Sequence, residues 1–154
     1  MRDLRAEFLA LPDAARREVQ MRLGALALER WRSWLASGPE LEYTESVVGT
    51  RQRLDPDLPA ELLAAAGAGC DRGRLAARLL EPLAALQDGD LELPREAEFA
   101  FYALSNLFRR RALGEATDDW LVVGQALAAL GPEAAGRDRL ADAVEVASGR
   151  RMPS

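Results

Sequence analysis

The chain has 154 residues, with no histidine, no lysine, no isoleucine and a single cysteine, Cys70. Each absence closes off some chemistry. Without histidine, Ser-His-Asp and Cys-His nucleophilic arrangements cannot be assembled. The Glu-x-x-His pairs of helical di-iron proteins and histidine-containing zinc sites are excluded for the same reason. One thiol supplies neither an intramolecular disulfide nor a thiolate zinc cage, and it fits a reducing compartment. A Gly-Lys-Ser/Thr phosphate loop needs the lysine that is missing. No apolar run approaches the ~20 residues of a spanning helix. Residues 1–11 mix Arg2, Asp3, Arg5 and Glu7 with apolar positions, which is not the pattern of a secretory signal. No membrane attachment and a cytoplasmic location are therefore expected.

A cationic surplus is lacking as well. The net charge is −5 and the pI about 4.9, which argues against binding to a nucleic-acid backbone. All 20 positive charges are arginine, a bias that fits the codon composition of a GC-rich genome. What the chain does have is 49% hydrophobic residues, enough for one core in one domain.

That core is organised around Leu93–Pro132, which holds four of the seven Trp and Phe residues. Pro94 suits a helix start, Glu96 and Glu98 follow in the first turns, and Arg109, Arg110 and Arg111 close the last, in keeping with the helix dipole. Ala97, Phe101, Leu104 and Phe108 step by four, three and four onto one face. Gly114 is a left-handed stop. Thr117 or Asp118 can cap a second helix in which Trp120, Val123, Leu127 and Leu130 share a stripe, ended by Gly131-Pro132. So short a connection makes the two helices antiparallel neighbours.

Elsewhere, residues 3–10 form a short helix with Leu4 and Phe8 inward, and Asp13 can cap a long helix that runs to about Ala36. Within the latter, Val19, Leu23, Leu26, Trp31 and Trp34 drift along one stripe. Glu40–Leu54 fits two patterns. Leu41, Tyr43 and Val47 alternate as in a strand, whereas Tyr43, Val47, Arg51 and Leu54 share a helical face. Glu40, Glu42 and Glu45 preceding Arg51 and Arg53 favour the helix. Pro59 opens a short helix to about Ala66. Asp71 caps another carrying Leu75, Leu79, Leu83 and Leu86, which Pro82 should kink or split. Leu140, Ala143, Val144 and Ala147 mark a last helix, and residues 149–154 are expected to fray. The expected fold is all-α: a single-domain irregular helical bundle over residues 1–154, with six to eight helices joined by short Gly/Pro turns.

Candidate chemistry is thin. Cys70 precedes a helix start with Arg72 and Arg74 close behind, features that lower a thiol pKa, although a small side chain at a turn is the ordinary reading. Gly67, Gly69 and Gly73 miss the dinucleotide spacing by one place and follow no strand. Carboxylates gather in three groups at turns: Asp55, Asp57 and Glu61; Asp88, Asp90 and Glu92; Glu115, Asp118 and Asp119. Asp88-Gly89-Asp90 does not follow the EF-hand order. An acid/base pair is chemically open to these groups, but acids at turns and caps are ordinary. Their functional reading is an acidic contact surface for a basic protein partner. The aromatics belong mainly to core stripes, with the Trp31–Trp34 and Phe99–Tyr102 flanks as the candidates for an exposed hot spot.

Over Tyr102–Leu130, YALSNLFRRRALGEATDDWLVVGQALAAL, the chain resembles small helical bacterial immunity proteins of polymorphic and contact-dependent toxin systems. The resemblance implies a cytosolic, non-enzymatic inhibitor that binds a cognate toxin. It transfers no contact residue, because immunity surfaces differ between members, so the nine carboxylates above stand as the contact candidates. No cofactor or metal is expected. Two alternatives are a helical regulatory or scaffold subunit of a homo-oligomer or larger assembly, using the Trp31–Trp34 face, and a carboxylate-dependent enzyme with converging acids in a pocket.

Overall fold

The computed structural model describes residues 2–150, with Ala134 described by its backbone alone. Among these residues the chain forms seven helices and one two-stranded hairpin: α1 (Leu4–Leu9), α2 (Asp13–Ala36), β1 (Glu42–Thr44), β2 (Arg51–Arg53), α3 (Leu58–Ala68), α4 (Arg72–Asp88), α5 (Arg95–Arg111), α6 (Asp119–Ala129) and α7 (Glu133–Ala147). The expected all-α single-domain bundle is what the chain adopts.

Helix α5 lies at the centre because half of its circumference is apolar. Ala97, Ala100, Phe101, Ala103, Leu104, Leu107 and Phe108 are all buried, and buried Ser105 turns its hydroxyl back onto the Phe101 carbonyl at 2.7 Å. It packs against α2, α3 and α6. Helix α2 crosses it closely at Gly24, where an added Cβ would sit 2.9 Å from Leu107 Cδ2 and 3.2 Å from Leu63 Cδ1. Trp31 is fully buried beside Phe101, with ring centroids 5.8 Å apart, and donates its indole N–H to the Pro56 carbonyl at 2.9 Å. That hydrogen bond satisfies the one polar atom the buried ring carries. Only Trp34 of the expected flank is partly exposed, so Trp31 is not available as a contact residue.

Helix starts match the sequence reading in part. Asp118 caps α6 as expected, through the Trp120 amide at 2.9 Å, whereas Asp3, read as the first residue of the leading helix, is the cap of α1, its Oδ1 accepting from the Ala6 amide at 3.0 Å. Asp13 does not cap α2. It is the first helical residue, and its carboxylate instead reaches Arg111 at the end of α5, 2.8 Å away. Pro82 neither ends nor divides α4, which runs unbroken through it with Pro82 buried. In α6 the fully buried face is Val122, Val123, Ala126 and Ala129, while Trp120 and Leu127 lie at its half-buried margin. After α7 the Arg150 amide still bonds the Glu145 carbonyl at 2.9 Å. The remainder of the expected frayed end, residues 151–154, lies outside the described residues.

The main departure is Glu40–Leu54, which forms an antiparallel hairpin and not a helix. Its register pairs Glu42 with Arg53, Tyr43 with Gln52 and Thr44 with Arg51. Tyr43 points inward between exposed Glu42 and Thr44, the period-two pattern of a strand. The Glu-before-Arg order that suits a helix dipole is satisfied across the strands, with Arg51 2.9 Å from Glu42. Gly49, at φ +80°, takes the left-handed turn that a helix would not allow.

Candidate functional site

The three acidic groups, alike in sequence, have different surroundings in the fold. In the first, Asp55 and Glu61 both clasp the Arg78 guanidinium, with Glu61 Oε2 at 2.8 Å. Arg74 approaches Glu61 at 3.4 Å, and Asp55 Oδ1 accepts from the Asp57 amide at 2.9 Å. Arg78 holds the Glu61 carboxyl below its ordinary pKa. Asp57 itself is exposed.

In the third group, Glu115 pairs with Arg109 at 3.0 Å and Asp118 serves as the α6 cap. Asp119, its side chain only 12% exposed, meets Arg110, Arg111 and Arg16 at 3.1, 3.4 and 3.3 Å. These carboxylates are engaged within the fold.

The second group differs. Among the described residues no arginine pairs with Asp88, Asp90 or Glu92, nor with Glu45 or Glu81 nearby. Helix α4 ends at exposed Asp88. The segment after it alternates, with Leu91 and Leu93 buried and Glu92 facing solvent between them. Asp90 Oδ2 accepts from the amide and hydroxyl of Ser46, at 3.0 and 3.1 Å, which fastens the hairpin tip to this acidic turn. On the inner side, the Tyr43 hydroxyl donates to the Glu81 carboxylate. Burial, then the charges of Asp90 and Asp88, push the Glu81 pKa up.

The tip is ordered by its own carboxylate. Glu45 Oε1 and Oε2 accept from the Val47 and Val48 amides at 2.6 and 2.9 Å, and the Gly49 amide bonds the Glu45 carbonyl at 2.9 Å. These bonds hold out two adjacent valines that are 83% and 80% exposed. Val47 was expected inward on either pattern, and neither valine figured as a contact. The signal for them was present, since an apolar pair followed by Gly49-Thr50 belongs to no complete helical stripe. Cys70 is exposed at the α3–α4 turn, and both arginines behind it are engaged elsewhere: Arg72 with the Gly69 carbonyl at 2.7 Å, Arg74 with Glu61 and Asp71 at 3.4 Å.

Among the described residues no three His, Cys, Asp or Glu side chains gather as a metal site would require, and no helix is long and apolar enough to cross a membrane. What the fold defines is a helical bundle bearing a braced hairpin with an apolar tip and an acidic flank. No protein-family model, curated protein or solved structure matches the chain.

Proposed function

We propose that the chain is a non-catalytic protein-binding module whose contact surface is the Val47–Val48 tip with the carboxylates of Asp88, Asp90 and Glu92 beside it. The observation that carries this reading is the pairing of two almost fully exposed valines, on a turn fixed by four amide bonds to Glu45 and Asp90, with acids that no arginine among the described residues neutralises. A small apolar projection inside a charged rim is the arrangement of an interface hot spot. A preordered turn loses little entropy on docking. The charge selects a partner with a basic face around an apolar recess, and acidic residues at the rim accelerate the encounter. Taken with the resemblance of α5 and α6 to immunity proteins, the partner is a cognate toxin that this chain neutralises. Those two helices form the scaffold and the hairpin end supplies the contact.

The test is co-expression with the products of neighbouring genes, scored by growth rescue and by co-purification. Wild type is expected to rescue cells from one such product, Val47→Asp with Val48→Asp to abolish the complex, and Asp88→Arg with Glu92→Arg to weaken it at least tenfold. A complex that forms undiminished with both double variants removes the hairpin from the interface. Failure of the wild type to bind or rescue against any neighbour refutes the toxin reading.

A further inference from the structure

A second feature lies at another part of the bundle and does not depend on the hairpin. Helices α1, α6 and α7, with the start of α5, enclose an open cleft of about 650 Å3, within the range of small-molecule sites. Its apolar lining comes from Leu4, Trp120, Leu127 and Leu140. Ala128 and Gly136 leave the space open because they contribute almost no side chain. The Trp120 ring is set in place by Phe8, at 5.9 Å between centroids in a tilted contact.

The rim is cationic, against the charge of the molecule as a whole. Four arginines line the cleft against two carboxylates, Asp3 and Glu133, a local excess of two positive charges in a chain of net −5. Two of the four, Arg5 and Arg95, have no carboxylate partner among the described residues. Each lies instead over an aromatic ring, Arg5 5.7 Å from the Trp120 centroid and Arg95 5.1 Å from that of Phe99. Arg137 donates to the Arg2 carbonyl at 2.8 Å and likewise pairs with no acid among the described residues. Elsewhere among the described residues, arginines such as Arg78 and Arg111 are held by carboxylates, and others such as Arg17 and Arg30 by backbone carbonyls. Here Arg5 and Arg95 border one apolar cavity with no described carboxylate on their forks, and Arg137 beside them keeps donors beyond its bond to the Arg2 carbonyl.

We infer that this cleft binds an organic anion with an apolar body, the head held by Arg5, Arg95 and Arg137 and the body laid on Leu4, Trp120, Leu127 and Leu140. A carboxylate or a phosphate monoester head meets the same fork geometry, and a medium-length alkyl chain suits the lining.

Isothermal titration of the full chain with decanoate, decyl phosphate, decanol and acetate tests the inference. One of the two anions is expected to bind saturably and at least tenfold more tightly than decanol, which lacks the charge, while acetate, which lacks the chain, shows no heat at the same concentrations. The preferred anion identifies the head group. Arg5→Glu and Arg95→Glu break no ion pair, so the fold should persist by circular dichroism while affinity falls at least tenfold for each. Ala128→Trp should fill the cavity and abolish binding, and Val47→Asp should leave it unchanged. Equal binding of decanol and both anions, indifference to both arginine reversals, or no saturable binding of either anion overturns the inference.

Discussion

Arg111, at the end of α5, and Asp119, at the start of α6, are joined in the least exposed ion pair of the described residues, their side chains 4% and 12% exposed with Nη2 3.4 Å from Oδ1. Gln20 of α2, itself 1% exposed, binds both: its Oε1 accepts from Arg111 Nε at 2.8 Å and its Nε2 donates to Asp119 Oδ1 at 3.0 Å. With Arg16 and Arg110 beside them, three arginines share Asp119, and the ends of three helices are fixed together. Without the Asp119 charge, Asp13 is the one carboxylate among the described residues left to Arg16, Arg110 and Arg111. Asp119→Asn is therefore expected to lower the free energy of unfolding by about 2 kcal/mol in urea titrations, the scale of losing hydrogen bonds to a charged group. A loss of less than about 1 kcal/mol would mean that water screens the cluster as it does surface pairs.

Acid should unfold the protein through its paired carboxylates. Hydrogen bonds from Arg2, then Arg150, draw Glu7 down from its ordinary 4.5 to about 2. Arg111 and Arg78 lower Asp13 and Glu61. A carboxyl with a depressed folded pKa binds protons more readily when unfolded, so its contribution is complete above the unfolded value and disappears as pH falls through the folded one. Stability should decline from pH 4.5 toward 2, and Glu7→Gln should flatten the lower part of that decline in chemical denaturation run pH by pH.

Glu81 runs the other way. Its pKa is raised by burial and by Asp90 and Asp88, so the folded state holds its proton more tightly than the unfolded chain does. Its contribution is present below the unfolded pKa and is lost as pH rises through the folded one. Glu81→Gln keeps an acceptor for the Tyr43 hydroxyl without the charge. It should therefore be as stable as wild type or more so at pH 7, with the gain shrinking in acid. Equal stability losses at both pH values would place its role in packing.

The sequence discloses elements through period and punctuation, which is why α2 and α5 are legible and the hairpin is not. Helix α5 repeats its apolar step over four turns between Pro94 and Gly114. A three-residue strand offers only Tyr43 as an inward position, and its Glu–Arg pairs have the same order that a helix dipole favours. The acidic candidates fail to separate for a related reason. Asp55 and Glu61 resemble Asp88 and Glu92 as text, but the arginine that clasps the former, Arg78, stands 23 and 17 residues further along the chain. Only the fold reveals which carboxylates are spent.

Gly24 is a helix-interior glycine that tests packing against propensity. Alanine would favour the helix by about 1 kcal/mol, but its Cβ would lie 2.9 Å from Leu107 Cδ2, and Leu107 is fully buried. The Leu107 and Leu63 methyl groups must both give way, and overpacking a filled core costs about 1–3 kcal/mol. Gly24→Ala is expected to be neutral to slightly destabilising, and Gly24→Val to lower stability by about 3 kcal/mol in thermal or urea unfolding. A stabilised valine variant would show that α2 and α5 have room to separate.

At the hairpin, surface exposure and internal bonding make separable claims. Val47 and Val48 touch little, so Val47→Asp and Val48→Asp should each change stability by less than about 0.5 kcal/mol. Their amides are bound by the Glu45 carboxylate, and the Ser46 amide is bound by Asp90. Hydrogen exchange should therefore find all three slower than solvent-facing turn amides. Glu45→Ala should speed exchange at 47 and 48, and Asp90→Ala at 46, while the helices remain protected. If the turn is ordered for binding, Glu45→Ala should weaken the partner complex with both valines intact, because the cost of ordering then falls on association. Unchanged affinity alongside accelerated exchange would mean that the valines act without the brace.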